Sequence, residues 1–138
     1  MNEAIEVTGW LNPDRGGDGV AWLRLEIDGD GGMVLRLRKL DHGSGVRITA
    51  SVEVTFPRVL SRVLAGVAGY GPLVKLARYQ EPLWKAELDV TAAKDGAGGV
   101  SVGIVVRDED GSELWGYFRQ YDIYRVAEFA ERYAESDR

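Results

Sequence analysis

The 138 residues carry a formal net charge of −5 and contain no cysteine. A disulfide framework, a thiolate metal site and a cysteine nucleophile are thereby excluded, and the acidic balance makes nucleic acid an unlikely partner, since phosphate neutralisation needs a basic footprint. With 45% hydrophobic and 28% charged residues, a chain of this length can close a sizeable core as one domain, 1–138, without metal or disulfide.

Met1 to Glu6 has neither the basic segment nor the apolar run of a signal peptide. No apolar stretch approaches the roughly 20 residues of a membrane helix. A cytoplasmic protein with no membrane contact is the expectation.

Ala4 to Trp10 reads as a first strand, and Asn12 to Gly19 as a loop from its Pro, Asp and Gly chemistry. In Val20 to Ile27, Ala21, Leu23, Leu25 and Ile27 alternate with Trp22, Arg24 and Glu26. Asp28-Gly29-Asp30-Gly31-Gly32 is a hairpin connection, because consecutive glycines tolerate the positive φ such turns demand. Met33, Leu35 and Leu37 continue the apolar face, with Arg36 and Arg38 opposite. Beyond the Asp41–Gly45 turn, Val46, Ile48, Ala50, Val52 and Val54 alternate with Arg47, Thr49, Ser51 and Glu53.

The period then becomes helical. Thr55 can cap a helix burying Phe56, Val59, Leu60, Val63, Leu64 and Val67, with Pro57 tolerated in the first turn and Gly66 and Gly69 marking the end. A short helical turn is expected around Leu73 to Ala77. Strands follow at Leu83 to Ala93, Val100 to Arg107 and Glu113 to Gln120. Asp122 can cap a last helix burying Ile123, Val126, Ala127, Ala130 and Tyr133.

A shift of 67 residues sets Met33, Leu35 and Leu37 on Val100, Val102 and Ile104, and Phe56-Pro57-Arg58-Val59 on Ile123-Tyr124-Arg125-Val126. Two β-β-β-α units, 20–67 and 87–134, follow from that self-similarity. Duplication and repeated use of the same turn chemistry account for it equally well, and the third strands agree poorly: Val46, Ile48 and Ala50 fall on Glu113, Trp115 and Tyr117. The expected fold is α+β: one mostly antiparallel sheet of about seven strands with two helices on one face. Two smaller sheets enclosing the helices are the alternative.

No catalytic or metal site is expected, and no cofactor. His42 is the sole histidine. With Asp41 and Ser44 it forms a local turn cluster, and such turns rarely hold a base rigidly against a nucleophile. The acidic turns 28–32 and 108–111 lack the ligand spacing of a helix-loop-helix calcium site. The glycines at 96–99 precede a strand, whereas a phosphate loop needs a following helix.

Two surfaces are candidates for binding. Arg24, Arg36, Arg38 and Arg47 project beside Trp22 from three neighbouring strands, a set that could grip an acidic protein surface or stack on bases, against a plain solvated sheet face. Trp115, Tyr117, Tyr121 and Tyr124 form an aromatic group that is either core or a contact surface, including one between two copies of the chain as a homodimer.

From Trp84 to Tyr133, the run Trp84-Lys85-Ala86-Glu87-Leu88-Asp89-Val90, the Asp-Gly-rich turn, the apolar strand, the aromatic strand and the closing helix resemble small uncharacterised actinobacterial proteins. Some of these are similar to immunity proteins of toxin systems. The resemblance implies a protein partner, a toxin in its sharpest form, and carries over no site residue. The functional expectation is a non-enzymatic protein-binding module, with a nucleic-acid-binding domain and a small-molecule-binding domain as alternatives.

Overall fold

The computed structural model describes residues 3–12, 18–27, 32–54, 56–69, 76–81, 86–94, 100–107 and 113–136, with side chains left aside at 67, 69, 76–81, 86–94, 100 and 134–136. Four strands, β1 (Glu3–Gly9), β2 (Gly19–Ile27), β3 (Met33–Asp41) and β4 (Arg47–Val54), lead into helix α1 (Pro57–Gly69). Four more, β5 (Leu76–Glu81), β6 (Ala86–Lys94), β7 (Val100–Arg107) and β8 (Glu113–Arg119), lead into α2 (Gln120–Ser136). Each set is an antiparallel meander, in orders β1-β2-β3-β4 and β5-β6-β7-β8.

The expected single sheet is therefore corrected to two four-stranded sheets. The helices do not share one sheet face either. They pack on each other, with the buried Ser61 Oγ donating to the Ala127 carbonyl at 2.9 Å. Helix α1 approaches β5 and β6, and α2 approaches β1, β7 and β8. Both helices keep exposed outer faces, through Arg58 and Arg62 on α1 and Tyr124, Glu128 and Arg132 on α2, so the sheets do not enclose them.

What prevents one continuous sheet is β8. It approaches all four strands of the first sheet, crossing them instead of extending them. The crossing runs along the cross-strand row Gly9, Ala21 and Lys39, which the registers set side by side. Trp10 and Tyr117 exchange two backbone hydrogen bonds of 2.8 Å at one end of that row. A Cβ on Gly9 would stand 2.1 Å from the Tyr117 carbonyl oxygen, and one on Gly116 2.8 Å from the Ala21 Cβ. Glycine at both places lets the backbones meet this closely.

The core lies under this crossing. Leu23, Leu25, Leu35 and Leu37 from the first sheet meet Ile104 and Phe118 from the second and Leu60, Leu64, Ile123 and Val126 from the helices. Val102, Ile104 and Val106 pair with Phe118, Gly116 and Leu114 on the inward face; β8 alternates in burial as the strand period requires, whereas β7 also buries Ser101 and Gly103 on its other face.

Several local expectations need correction. Leu76 and Ala77 belong to β5 and not to a helical turn; Leu73 to Lys75 lie outside the described residues. Of the strand expected from Leu83 to Ala93, the part from Ala86 onward is β6; 82–85, including Trp84, lie outside the described residues. Phe56 and Val59 are 50% and 45% exposed, because the buried stripe of α1 runs along Leu60, Ser61, Leu64 and Ala68. Thr55 lies outside the described residues, and the Phe56 carbonyl takes the first helical hydrogen bond, from Leu60 N at 3.0 Å. Val46 and Ile48 share the inward parity of β4 but are 48% and 43% exposed, because that end of the strand overhangs the core. β8 passes into α2 at Gln120 with no turn, so Asp122 lies inside the first helical turn.

The 67-residue shift carries Gly19–Ile27 onto Ala86–Lys94 and Met33 onto Val100, the bounds of β6 and the start of β7. It also carries the pair Leu23↔Leu37 onto Val90↔Ile104, an observed pair. The third strands break the rule. Leu37↔Ala50 would map onto Ile104↔Tyr117, but Ile104 pairs with Gly116. That slip of one residue turns the strand over, placing Leu114, Gly116 and Phe118 inward and Trp115 and Tyr117 outward.

Candidate functional site

The outer face of the first sheet gathers the residues expected there. Register sets Glu6 beside Arg24, Arg24 beside Arg36, and Trp22 beside Arg38. Two arginines directly opposite each other repel unless an acid lies between them. Glu26 supplies it: its carboxylate accepts from Arg24 Nε at 2.9 Å and from Arg36 Nη1 at 3.0 Å. Glu6 accepts from Arg38 and stands 3.5 Å from Arg24 Nη1. The Arg38 guanidinium lies 5.3 Å from the centre of the Trp22 ring, within cation–π range.

The result is a chain of alternating charge from Arg36 through Glu26, Arg24 and Glu6 to Arg38 and Trp22. Glu26 is buried although charged. The hydrogen bond from Arg24 to Glu26, with the nearby negative charges of Glu26 and Glu6, outweighs desolvation and raises the Arg24 pKa above the ordinary arginine value. A raised guanidinium pKa adds stability that is complete below its unfolded value and lost only at more alkaline pH, so Arg24 stays charged through the neutral range. Arg47 stands apart from this network, at the start of the outermost strand β4 opposite Leu40.

Glu6 also faces a second feature. An open cleft of about 400 Å³ lies between β1 and the start of α2, lined by Glu6, Thr8, Trp10, Arg119, Asp122 and Arg125, among others. Arg119 packs 5.5 Å from the centre of the Trp10 ring, and Arg125 Nη1 stands 3.6 Å from Asp122 Oδ1. The lining thus offers two cations, two carboxylates and an aromatic wall. No local sequence signal marks it, because its residues come from three separated segments.

The expected aromatic group is divided. Tyr121 is 74% exposed, and Tyr124 is exposed one turn on. Tyr121 and Arg125 are four apart on α2, hence neighbours on its surface, but Tyr121 itself does not line the cleft. Trp115 lies elsewhere: its Nε1 donates to the Leu11 carbonyl at 3.0 Å, and Lys39 Nζ sits 4.1 Å over its ring. Trp115 therefore ties the two sheets together. Tyr117 is half-buried at the backbone bridge to Trp10.

The Asp41 turn works as structure. The Asp41 carboxylate accepts from Gly43 N at 2.8 Å and Ser44 N at 3.2 Å, and Gly45 takes φ 72° to close the loop. His42 is exposed in this turn and its backbone N–H donates to the Asp18 carbonyl. The acidic segments 28–31 and 108–111 and the glycines 96–99 lie outside the described residues. Among the described residues, no group of three or more His, Asp or Glu side chains is placed to hold a metal, and no helix is long and apolar enough to cross a membrane.

No family model matches this chain, and no curated protein matches it.

Proposed function

We propose that this chain is a non-catalytic protein-binding module whose contact surface is the outer face of the first sheet around Trp22. The observation that carries the reading is the fixed lattice of Arg24, Arg36 and Arg38 on Glu6 and Glu26 beside that ring. Binding ordinarily costs about 0.5–1.5 kcal/mol for each rotamer-rich side chain it immobilises. Here the guanidiniums are positioned before a partner arrives, and Trp and Arg are the residue types that most often dominate interface energetics. Because each arginine already has a carboxylate, the face is nearly balanced in charge, which favours a protein over a polyphosphate. Immunity to a toxin, acting in the cytoplasm, is the sharpest form of the reading. The matching β2–β3 and β6–β7 registers support descent of the two halves from one duplicated β-β-β-α unit.

The test is affinity capture from the source organism with the wild-type chain and with Trp22→Ala/Arg38→Ala. A specific partner held by the wild type and weakened at least tenfold by the double variant is expected. Recovery of no partner, or equal recovery by both, overturns the reading. A mobility shift with nucleic acid at low salt would replace it with the nucleic-acid alternative.

The cleft favours a second reading, a small-molecule site. Its two arginines, two carboxylates and Trp10 suit a small ligand with an anionic group and a flat apolar part. A thermal-shift survey of aromatic acids should give a stabilisation that Arg119→Ala removes. No stabilisation by any of them ends that reading.

A further inference from the structure

We infer that β4 is a homodimer interface, at which two copies of the chain pair their β4 strands antiparallel about a two-fold axis through Ala50. The inference is independent of the proposed partner face.

β4 is the outermost strand of its sheet and hydrogen-bonds to β3 on one side. The Val46 carbonyl accepts from Asp41 N at 3.0 Å, so it points toward β3. Hydrogen bonding alternates along an antiparallel strand, so 48, 50, 52 and 54 also bond toward β3, while the N–H and C=O groups of Arg47, Thr49, Ser51 and Glu53 point to the other side. Such a row is a template for a further strand.

The sequence of β4 is complementary to its own reverse. With the axis at Ala50, Thr49 falls opposite Ser51 of the second copy as a hydrogen-bonded pair. Arg47 falls opposite Glu53 of the second copy, and symmetry repeats this at the other end. On the inner face Ile48 meets Val52 and Val46 meets Val54 of the second copy. The two apolar residues that overhang the core of one copy, Val46 at 48% and Ile48 at 43% exposed, would thus lie beside two that are buried in the other. Moving the register by two residues sets Arg47 opposite Ser51 or Thr55 and loses both charge pairs. The sterics of the strand and its charges therefore select one register, and the product is a continuous eight-stranded sheet.

Sedimentation equilibrium of the purified chain from about 1 to 100 μM tests this directly. A dimer is expected; a monomer throughout overturns the inference. Thr49→Pro removes an N–H that faces away from β3 and spares the β3–β4 ladder, so it should fold with an unchanged circular dichroism spectrum and be monomeric. A folded Thr49→Pro dimer as tight as the wild type also overturns the inference. Two charge variants supply an orthogonal test. Arg47→Glu carries acid at both ends of the strand and Glu53→Arg carries base at both ends, so each should weaken its own dimer at least tenfold. Mixed together they should form a heterodimer, because every end pair is then of opposite charge. Failure of the mixture to associate while the wild type dimerises excludes the Ala50 register.

Discussion

β4 and β8 occupy the same place in the two halves, each the last strand before a helix, and have opposite fates. β4 ends in an overhang with Val46 and Ile48 exposed, whereas β8 buries Leu114 and Phe118 and crosses the first sheet. The hairpins before them, β2–β3 and β6–β7, keep one register under the 67-residue shift; the slip enters only at the last strand. A one-residue slip exchanges the faces of a strand. It therefore moves Gly116, not Tyr117, onto Ala21, and allows the two backbones to touch. The two hairpins share a register under the shift, and the strands that follow them do not.

The most severe way to break this contrast is to empty the crossing. Phe118 is fully buried where β8 meets both sheets. Phe118→Ala should cost about 3–5 kcal/mol, the range for large aromatic truncation in cores. Ile48→Ala on the overhang should cost under about 1 kcal/mol when compared in the monomeric Thr49→Pro background. Urea denaturation at fixed protein concentration measures both. Equal costs would mean that β4 and β8 are equivalently buried.

Overfilling the crossing comes next. Gly116→Ala places a carbon 2.8 Å from the Ala21 Cβ, so one strand must shift. A cost of about 1–3 kcal/mol is expected, as for overpacked cores. Gly43→Ala in the Asp41 turn meets only the flexible end of the Asp41 side chain, at 3.2 Å, and should cost less.

These particular residues show what the sequence could and could not disclose. Alternation located the strands and inward faces of β2 and β3, because period-two burial is a local property of the chain; in β7 it marks Val102, Ile104 and Val106 but not the burial of Ser101 on the other face. The 3.6-residue period found both helices. It misjudged Phe56 and Val59, since periodicity gives a stripe but not its edges. Neither period could reveal that Gly9 and Gly116 meet near Ala21, or that Glu6, Thr8 and Arg119 line one cleft, because these contacts join segments about a hundred residues apart. The poor match of the third strands was visible in the residues themselves. Its cause, a slip that turns β8 over, appears only with the pairing. The arginines of the Trp22 face were placed together by alternation, whereas the role of Glu6 depended on the β1–β2 register.

The helix pair sharpens the comparison at smaller scale. Ser61 Oγ donates to the Ala127 carbonyl, and Gln120 Nε2 donates at 2.7 Å to the Ala68 carbonyl, one of the acceptors left over at the end of α1. Ser61→Ala and Gln120→Ala should each cost about 1 kcal/mol, the net worth of one such hydrogen bond. Their sites lie near opposite ends of α1, so the effects should add within about 0.5 kcal/mol. Marked non-additivity would show that the helices move as one lever.

The smallest effect separates the two sheets by their charges. In the second sheet Arg107 Nε meets Glu113 at 2.7 Å across β7 and β8, with Glu113 half exposed. Solvent and salt screen such a pair, and Arg107→Ala should change stability by less than about 0.5 kcal/mol. In the first sheet Glu26 holds two arginines and is itself buried. Removing its charge leaves Arg24 and Arg36 opposite each other with no acid between them, so Glu26→Gln should cost more, about 1 kcal/mol. Replacing both arginines as well should recover much of that loss, because the repulsion then disappears along with the attraction. A thermodynamic cycle over Glu26, Arg24 and Arg36 separates the two contributions. A coupling no larger than that of Arg107 with Glu113 would mean the lattice beside Trp22 is not held rigidly, and the pre-set guanidiniums on which partner binding depends would lose their basis.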